Sequence, residues 1–280
     1  MAFRFDRDGH VHSGFCPHGS GDPTRAFIER AITLGFSRLS IVEHFPLPPD
    51  FPPPPTSYPV SMDYNQIEPY LEETLALRKE FKGKIDLLIG FEFDYLPGRE
   101  GWLKNELDKI GPRIQDGLLS VHFLKESIID ETAEYFMRDV LPKVGGSLDS
   151  AYREYYRTVL AGVKADLGPY KPNRLAHLNL IRKFRLKHAP PGEYREEILE
   201  IANEAANRGM QLDYNMSGIR RPLCGEPYLP DWLIGKIANG EIDIEVVYGS
   251  DAHGASSVGA GILEAKAKVL SALSSNIPKG

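Results

Sequence analysis

A chain of 280 residues can bury a large core, and α/β barrels commonly use this length as one domain. Hydrophobic residues make up 42% and charged residues 26%, ordinary for a water-soluble fold, and the net charge of -6 argues against nonspecific binding of nucleic acid. Neither MAFRFDRDGH at the start nor any later run has the apolar character of a signal core or membrane span, so a cytoplasmic protein is expected; Cys16 and Cys224 read as reduced, structural thiols.

FRFDRDGHVH is the first β-like run. DPTRAFIERAITLGF then reads as a helix, with Asp22 as N-cap, Pro23 in the first turn, Phe27, Ala31 and Leu34 at helical spacing and Gly35 as the stop. SRLSIV (37–42) is the next strand. It leads into FPLPPDFPPPPTSYP (45–59), too rich in proline for helix or central strand. That extended loop is either a rigid connector or, because it leaves the C-terminal end of a strand, the rim of an active site. A helix from Asp63 to Gly83 precedes the strands KIDLLIGFEF (84–93) and DGLLSVH (116–122). Residues 127–168, roughly, form a longer and mostly helical insertion, whose aromatic face in SLDSAYREYYRTVLAGV suits packing or a subunit contact. NRLAHLN (173–179), a helix with Ile198, Ile201, Ala202 and Ala205 as its apolar stripe and Gly209 as its stop, MQLDYN (210–215) and IEVVYGS (244–250) complete the alternation, and ASSVGAGILEAKAKVLSAL is the last covering helix. Seven strands alternating with helices predict a small parallel α/β barrel, one domain over 1–280.

The eight histidines are informative by placement. His10 and His12, two apart in a strand, point to the same face. By itself an HxH pair is a weak signal, since surface and core histidines are common. His44, Glu92, His122, His177, Asp251 and His253 all stand where predicted strands end, and in an α/β barrel those ends converge on one mouth. Gathering so many polar groups without a cation leaves buried donors and acceptors unpaired, at about 1–3 kcal/mol each. Two or three metal ions sharing a carboxylate remove that problem, and imidazole with carboxylate suits zinc, iron or manganese alike. His188, after the basic FRLKH run, reads as a loop residue with no metal role.

At HVHS, VEH, GFEFD, SVH, AHLNL and GSDAH the chain resembles the polymerase and histidinol phosphatase (PHP) family of metal phosphoesterases. With FCPHG and SGIRRP it is most similar to the family's monofunctional histidinol-phosphate phosphatases. The resemblance implies a distorted seven-stranded barrel with a trinuclear centre. It would place His10, His12 and Asp251 on one ion, His122 and His177 on a second with Glu92 bridging, and His18, His44 and His253 on a third. Ser13 stands where the family often has Thr, and Glu43 where Asp is frequent; neither is a ligand in this scheme.

The implied reaction is hydrolysis of L-histidinol phosphate, a step of histidine biosynthesis, by a hydroxide shared between two ions whose bound pKa falls to about 7. Glu92, Asp251 and His253 are the expected catalytic side chains. The basic candidates for phosphate are Arg182 and Lys183, and Arg220 with Arg221; the resemblance favours Lys183 and one arginine of the Arg220/Arg221 pair. For the amine and imidazole of the substrate, Asp94, Tyr95, Glu226 and the proline-rich loop are candidates. Other small esters such as nucleotide or sugar phosphates, hydrolysis of a C–N bond, and a non-catalytic metal-binding module are the rival readings. Oligomeric state is not legible.

Overall fold

The computed structural model describes residues 2–274; residue 1 and residues 275–280, the ends of the expected 1–280 domain, lie outside the described residues. Ten strands occur among them: β1 (Phe3–Arg4), β2 (Arg7–Val11), β3 (Arg38–His44), β4 (Asp86–Asp94), β5 (Asp116–Ser120), β6 (Phe123–Leu124), β7 (Ser127–Ile128), β8 (Arg174–Leu175), β9 (Gln211–Asn215) and β10 (Glu245–Gly249). Eight form one parallel sheet in the order β1-β10-β9-β8-β5-β4-β3-β2. β1 and β2 are consecutive in the chain and occupy the two edges, so they are two segments of a single stave. The ring closes where Asp251 N–H donates to the His10 carbonyl at 2.8 Å and His12 N–H to the Ala252 carbonyl at 3.0 Å. Counted by staves this is the expected seven-stranded barrel.

The helices are α1 (Thr24–Thr33), α2 (Ile67–Glu80), α3 (Glu100–Ile110), α4 (Ala133–Tyr135), α5 (Leu148–Lys164), α6 (Arg195–Asn207), α7 (Asp231–Ala238) and α8 (Ile262–Ser274). Ile198, Ile201, Ala202 and Ala205 form the buried face of α6, and Gly209 turns the chain back at φ +66°, where any side chain is strained. Asp22 does not cap α1. Pro23 holds the cap position, and the Asp22 carboxylate accepts from the Ser20 hydroxyl and the Ala255 N–H, joining the loop that carries His18 to the loop after His253. The insertion is helical, as expected, except for the short β6–β7 hairpin at its entry. Its aromatic face is packing: Tyr152, Tyr155 and Tyr156 are buried where α5 meets α6, and Tyr155 donates to the His177 carbonyl at 3.3 Å and Tyr156 to Asn179 Oδ1 at 2.9 Å. Among the described residues no helix is long and apolar enough to cross a membrane.

Several strands stop earlier than their apolar runs. β5 ends at Ser120 because the His122 N–H donates to Asp94 Oδ1 at 3.0 Å; β8 is two residues long, and the His177 N–H goes to Asp213 Oδ2 at 3.3 Å. Side-chain carboxylates take over from ladder carbonyls at the mouth.

The opposite part of the barrel interior contains Arg174, 0% exposed, with Nη2 donating to Asp116 Oδ2 at 2.7 Å and the Gly9 carbonyl at 2.8 Å. Ser40 donates to the same Asp116 oxygen at 2.5 Å. Removing one partner of such a buried pair strands the other charge, at about 3–5 kcal/mol. Arg174→Ala should lower unfolding free energy by about that amount in urea denaturation, whereas substitution of the exposed Arg38, paired with Asp86, should change it by about 1 kcal/mol or less.

Candidate metal centre

The parallel register brings every predicted strand-end residue to one mouth. Glu92, on β4 and 2% exposed, lies at its centre. Its Oε1 is 2.7 Å from His177 Nε2 and 3.6 Å from His122 Nε2; its Oε2 is 3.3 Å from His10 Nε2, 3.8 Å from His12 Nε2 and 3.2 Å from His44 Nδ1. Asp251 Oδ1 lies 3.3 Å from His12 Nε2 and 3.9 Å from His10 Nε2. His18 and His253 meet through their Nε2 atoms at 3.1 Å, and the ring of His18 is 5.0 Å from that of His44. All nine expected ligands are thus gathered. His188, beyond the short helix after His177, does not join them.

Donor atoms of His10, His12 and Glu92, of His44, Glu92 and His122, and of His12, Cys16, His44 and His253 fall into groups in which all lie within 4.8 Å of one another. His12 Nε2, His44 Nε2 and His177 Nδ1 are buried with no hydrogen-bond partner among the described residues. His12 Nε2, orphaned between Asp251 and Glu92 within these groups, is the kind of donor that a transition-metal ion completes, so the residues fit the ions expected of them. Cys16 joins the third group although its sequence context suggested only packing. Burial, then Glu43, push its thiol pKa up, so without a cation beside it the sulfur stays protonated.

Electrostatics describe the same demand. Burial acts to raise the Glu92 pKa, but His10, His122 and His44 outweigh it and hold the carboxyl well below its usual range. Burial acts to lower the imidazoles; Asp251 and Glu43 nevertheless bring His12 up to about 9, and Asp94 with Glu92 bring His122 up to about 10. His44 and His253 are driven well below the ordinary value by burial and then by His12.

Around the ligands stands a set of residues that the sequence reading did not pick out for this role. Asp213 Oδ2 is 2.8 Å from His10 Nδ1, Glu43 Oε1 is 3.2 Å from His12 Nδ1, and Asp94 Oδ1 is 2.9 Å from His122 Nδ1. Asn215 and Ser217 donate to Asp251 Oδ2 at 3.2 and 3.0 Å, leaving Oδ1 toward the histidines. Asp213 and Asn215 alternate along β9, so polar residues two apart on an inward face were the available signal. Ser13 and Glu43, the two departures from the family pattern, touch: the Ser13 hydroxyl and N–H donate to Glu43 Oε2 at 2.7 and 3.1 Å. Gly249 is required beside Asp213 and His10, since a Cβ there would lie 2.2 Å from Asp213 Oδ1 and 2.8 Å from His10 Cβ.

A cavity of about 350 Å³ opens over the ligands. Lys183 and Arg221 line it; Arg220 does not, because its Nη2 donates to the Ser250 carbonyl at 2.8 Å and so supports the chain leading into Asp251. Arg182 is held by Glu226 at 2.5 Å, and both line a different cavity. Tyr95 is also elsewhere, packed against Gly162 with its hydroxyl donating to Glu100 at 2.8 Å. Asp94 does line the cavity, and the proline-rich loop reaches it through Tyr58, so that loop is a rim as well as a connector. Asp130 and Glu131, singled out by no sequence signal, complete its acidic side chains.

The PHP domain model matches residues 8–217, and the chain belongs to this family. A histidinol-phosphatase of Bacillus subtilis is 36% identical over 258 residues, 90% of this chain and 95% of that protein. A crystal structure from Listeria monocytogenes, described as a candidate histidinol phosphatase, superposes with a TM-score of 0.84 at 34% identity, covering 92% of this chain and 99% of that one. The fold is shared by histidinol phosphate phosphatase of Lactococcus lactis, crystallised with zinc, L-histidinol and phosphate, at a TM-score of 0.74 and 22% identity, covering 95% and 93% of the two chains.

Carboxylates that orient ligating histidines typically tune metal affinity by about 10–100-fold. Asp213→Asn should weaken metal binding by about that factor in chelator competition, while circular dichroism stays that of the parent protein.

Proposed function

We propose that this chain is a metal-dependent phosphomonoesterase that hydrolyses L-histidinol phosphate to L-histidinol and inorganic phosphate. The observation that carries the reading is the division of imidazoles between the two oxygens of Glu92, His122 and His177 on one, His10, His12 and His44 on the other. A carboxylate so placed is built to be shared by two cations. The substrate follows from the histidinol-phosphatase relative that the chain matches across 95% of its length.

In this assignment His10, His12 and Asp251 hold one ion, His122 and His177 a second, and His18, His44 and His253 a third, with Glu92 common to the first two. Zinc, iron and manganese all suit these donors. When bound, the ions lower the pKa of a coordinated water toward about 7 and neutralise charge on the phosphoryl group. The protein holds the ligands in register through Asp213, Glu43 and Asp94, and Arg220 acts as a positioning residue for Asp251. Glu92, Asp251 and His253 border the place where phosphorus is attacked. Lys183, a point charge, and Arg221, a planar fork, take the phosphoryl oxygens. A cavity of about 350 Å³ suits one small ester, so the proposed partner is a phosphorylated metabolite, handled by one barrel domain in the cytoplasm.

Glu92→Ala should lose turnover of L-histidinol phosphate and bound metal together; a fully active, metal-replete variant would remove the centre of this account. The two arginines should separate. Arg221→Ala should reduce kcat/KM by about 100-fold with metal content unchanged, as expected for loss of one donor to developing charge. Arg220→Ala should instead lower metal content, measured by elemental analysis after gel filtration.

A further inference from the structure

Eight residues beyond His122 the chain returns to the cavity. β6 and β7 pair Phe123 with Ile128 and Leu124 with Ser127, turned by Lys125 and Glu126, both at positive φ (46° and 60°). Such two-residue turns favour Asn and Gly, so two ordinary side chains there mark a return held by its surroundings. The Ile129 N–H donates to the His122 carbonyl at 2.9 Å, and Asp130 follows on the cavity wall. Lys183 donates to the Asp130 carbonyl and, at 3.0 Å, to its Oδ2. Oδ1 is buried and accepts from no donor among the described residues. Glu131 lines the cavity next to it, its Oε2 accepting from Tyr58 at 3.0 Å.

A carboxylate is the wrong lining for a cavity meant to take a phosphate dianion alone. It repels the ligand, and a buried acceptor with no protein donor is rarely retained without a partner. Both objections disappear when the molecule carrying the phosphate also carries a cationic N–H. A sugar or nucleotide monophosphate brings no positive group to meet the acid; an aminoalkyl phosphate does.

We infer that Asp130 Oδ1 is the acceptor for the cationic end of the substrate, and that Asp130, beside Lys183, makes this cavity selective for zwitterionic, amine-bearing phosphate monoesters. One side chain then separates the two ends of the ligand. Its Oδ2 steadies the lysine that faces phosphate, and its Oδ1 receives the N–H at the other end. The inference rests on the proposed phosphomonoesterase reading and adds the residue that selects among esters.

Asp130→Asn removes the charge and keeps an acceptor oxygen for Lys183. With metal-loaded protein, kcat/KM is measured for L-histidinol phosphate and for p-nitrophenyl phosphate, which has no cation, together with inhibition by L-histidinol and by inorganic phosphate. The ratio of kcat/KM for the two esters should fall by about 100-fold, the scale of losing one member of a desolvated charge pair. The inhibition constant of L-histidinol should rise by a similar factor and that of phosphate by no more than about threefold. Asp130→Ser, which leaves Lys183 a smaller acceptor, should give the same change in ratio. Equal losses on both esters, or equal weakening of both inhibitors, overturn the inference in favour of a purely structural role through Lys183. An unchanged ratio with a wild-type preference for L-histidinol phosphate overturns it as well and leaves the phosphatase reading intact. Wild-type protein with no turnover of L-histidinol phosphate overturns that reading itself.

Discussion

Glu92 is a carboxylate enclosed by a barrel, with imidazoles against both of its oxygens and almost no contact with solvent. A buried anion is tolerated only when cations or hydrogen-bond donors surround it, and this requirement organises the residues nearby. Asp251 adds a second acid to the same space, and Asp213, Glu43 and Asp94 stand behind the histidines. Imidazoles alone answer this charge poorly: the rings that hold protons push their neighbours, His44 and His253, to the neutral form. Metal ions supply the charge without that conflict, and their binding releases the protons that stood in for them.

The backbone accommodates the same demand. At ordinary barrel strands the ladder satisfies every N–H, yet at the mouth His122 and His177 turn their N–H groups to Asp94 and Asp213, and Ser250 turns its own to Asp8 at 2.9 Å. Each carboxylate that receives such a bond is fixed, and in two of the three cases it also holds a ligating ring. Strand termination and ligand orientation are therefore one event. Asp251 carries a further sign of this constraint, a non-glycine residue at φ 51° that is kept there by its N–H bond to His10 and by Asn215 and Ser217 on its side chain.

What was legible in the sequence follows from this arrangement. The seven staves, and the meeting of eight of the nine candidate ligands at one mouth, could be read because a period of two and the ends of apolar runs report directly on which side chains face it; His18, on a loop, was reached only through the family resemblance. Helices α3 and α7 were not drawn in advance, although Leu103, Leu107 and Ile110 in the one and Leu233, Ile234 and Ile237 in the other lie at helical spacing and are buried. Arg182 and Lys183 are adjacent and equally basic in sequence; only the fold turns one toward Glu226 and the other toward Asp130. Tyr95 and Glu226 were plausible rim residues for the same reason that they proved not to be: nearness in sequence to a site residue says little once the chain has left its strand. Asp130 was invisible because a hairpin returns it to the mouth, and the turn residues Lys125 and Glu126 are not those by which such hairpins are recognised.

The donors differ in what holds them. His10 and Glu92 lie on strands, His44 at the end of one, and His122 and His177 just past strand ends, all tied into the sheet or to carboxylates on it. His18 and His253 come from loops and are only partly buried. Their loops are joined by the Asp22 bond to Ala255 and by Ser20 N–H on the His253 carbonyl at 2.7 Å, and His18 Nδ1 meets the Pro59 carbonyl at 3.2 Å. Tyr58, in the same proline-rich segment, lies against the His18 ring at 5.5 Å and bonds Glu131 across the cavity. A stretch in which proline restricts the backbone can hold such a rim with little loss of chain entropy. The inner donors thus take their precision from the barrel, and the outer ones take theirs from a stiffened loop that also borders the substrate, so the geometry of the third proposed ion and the shape of the cavity entrance depend on the same residues.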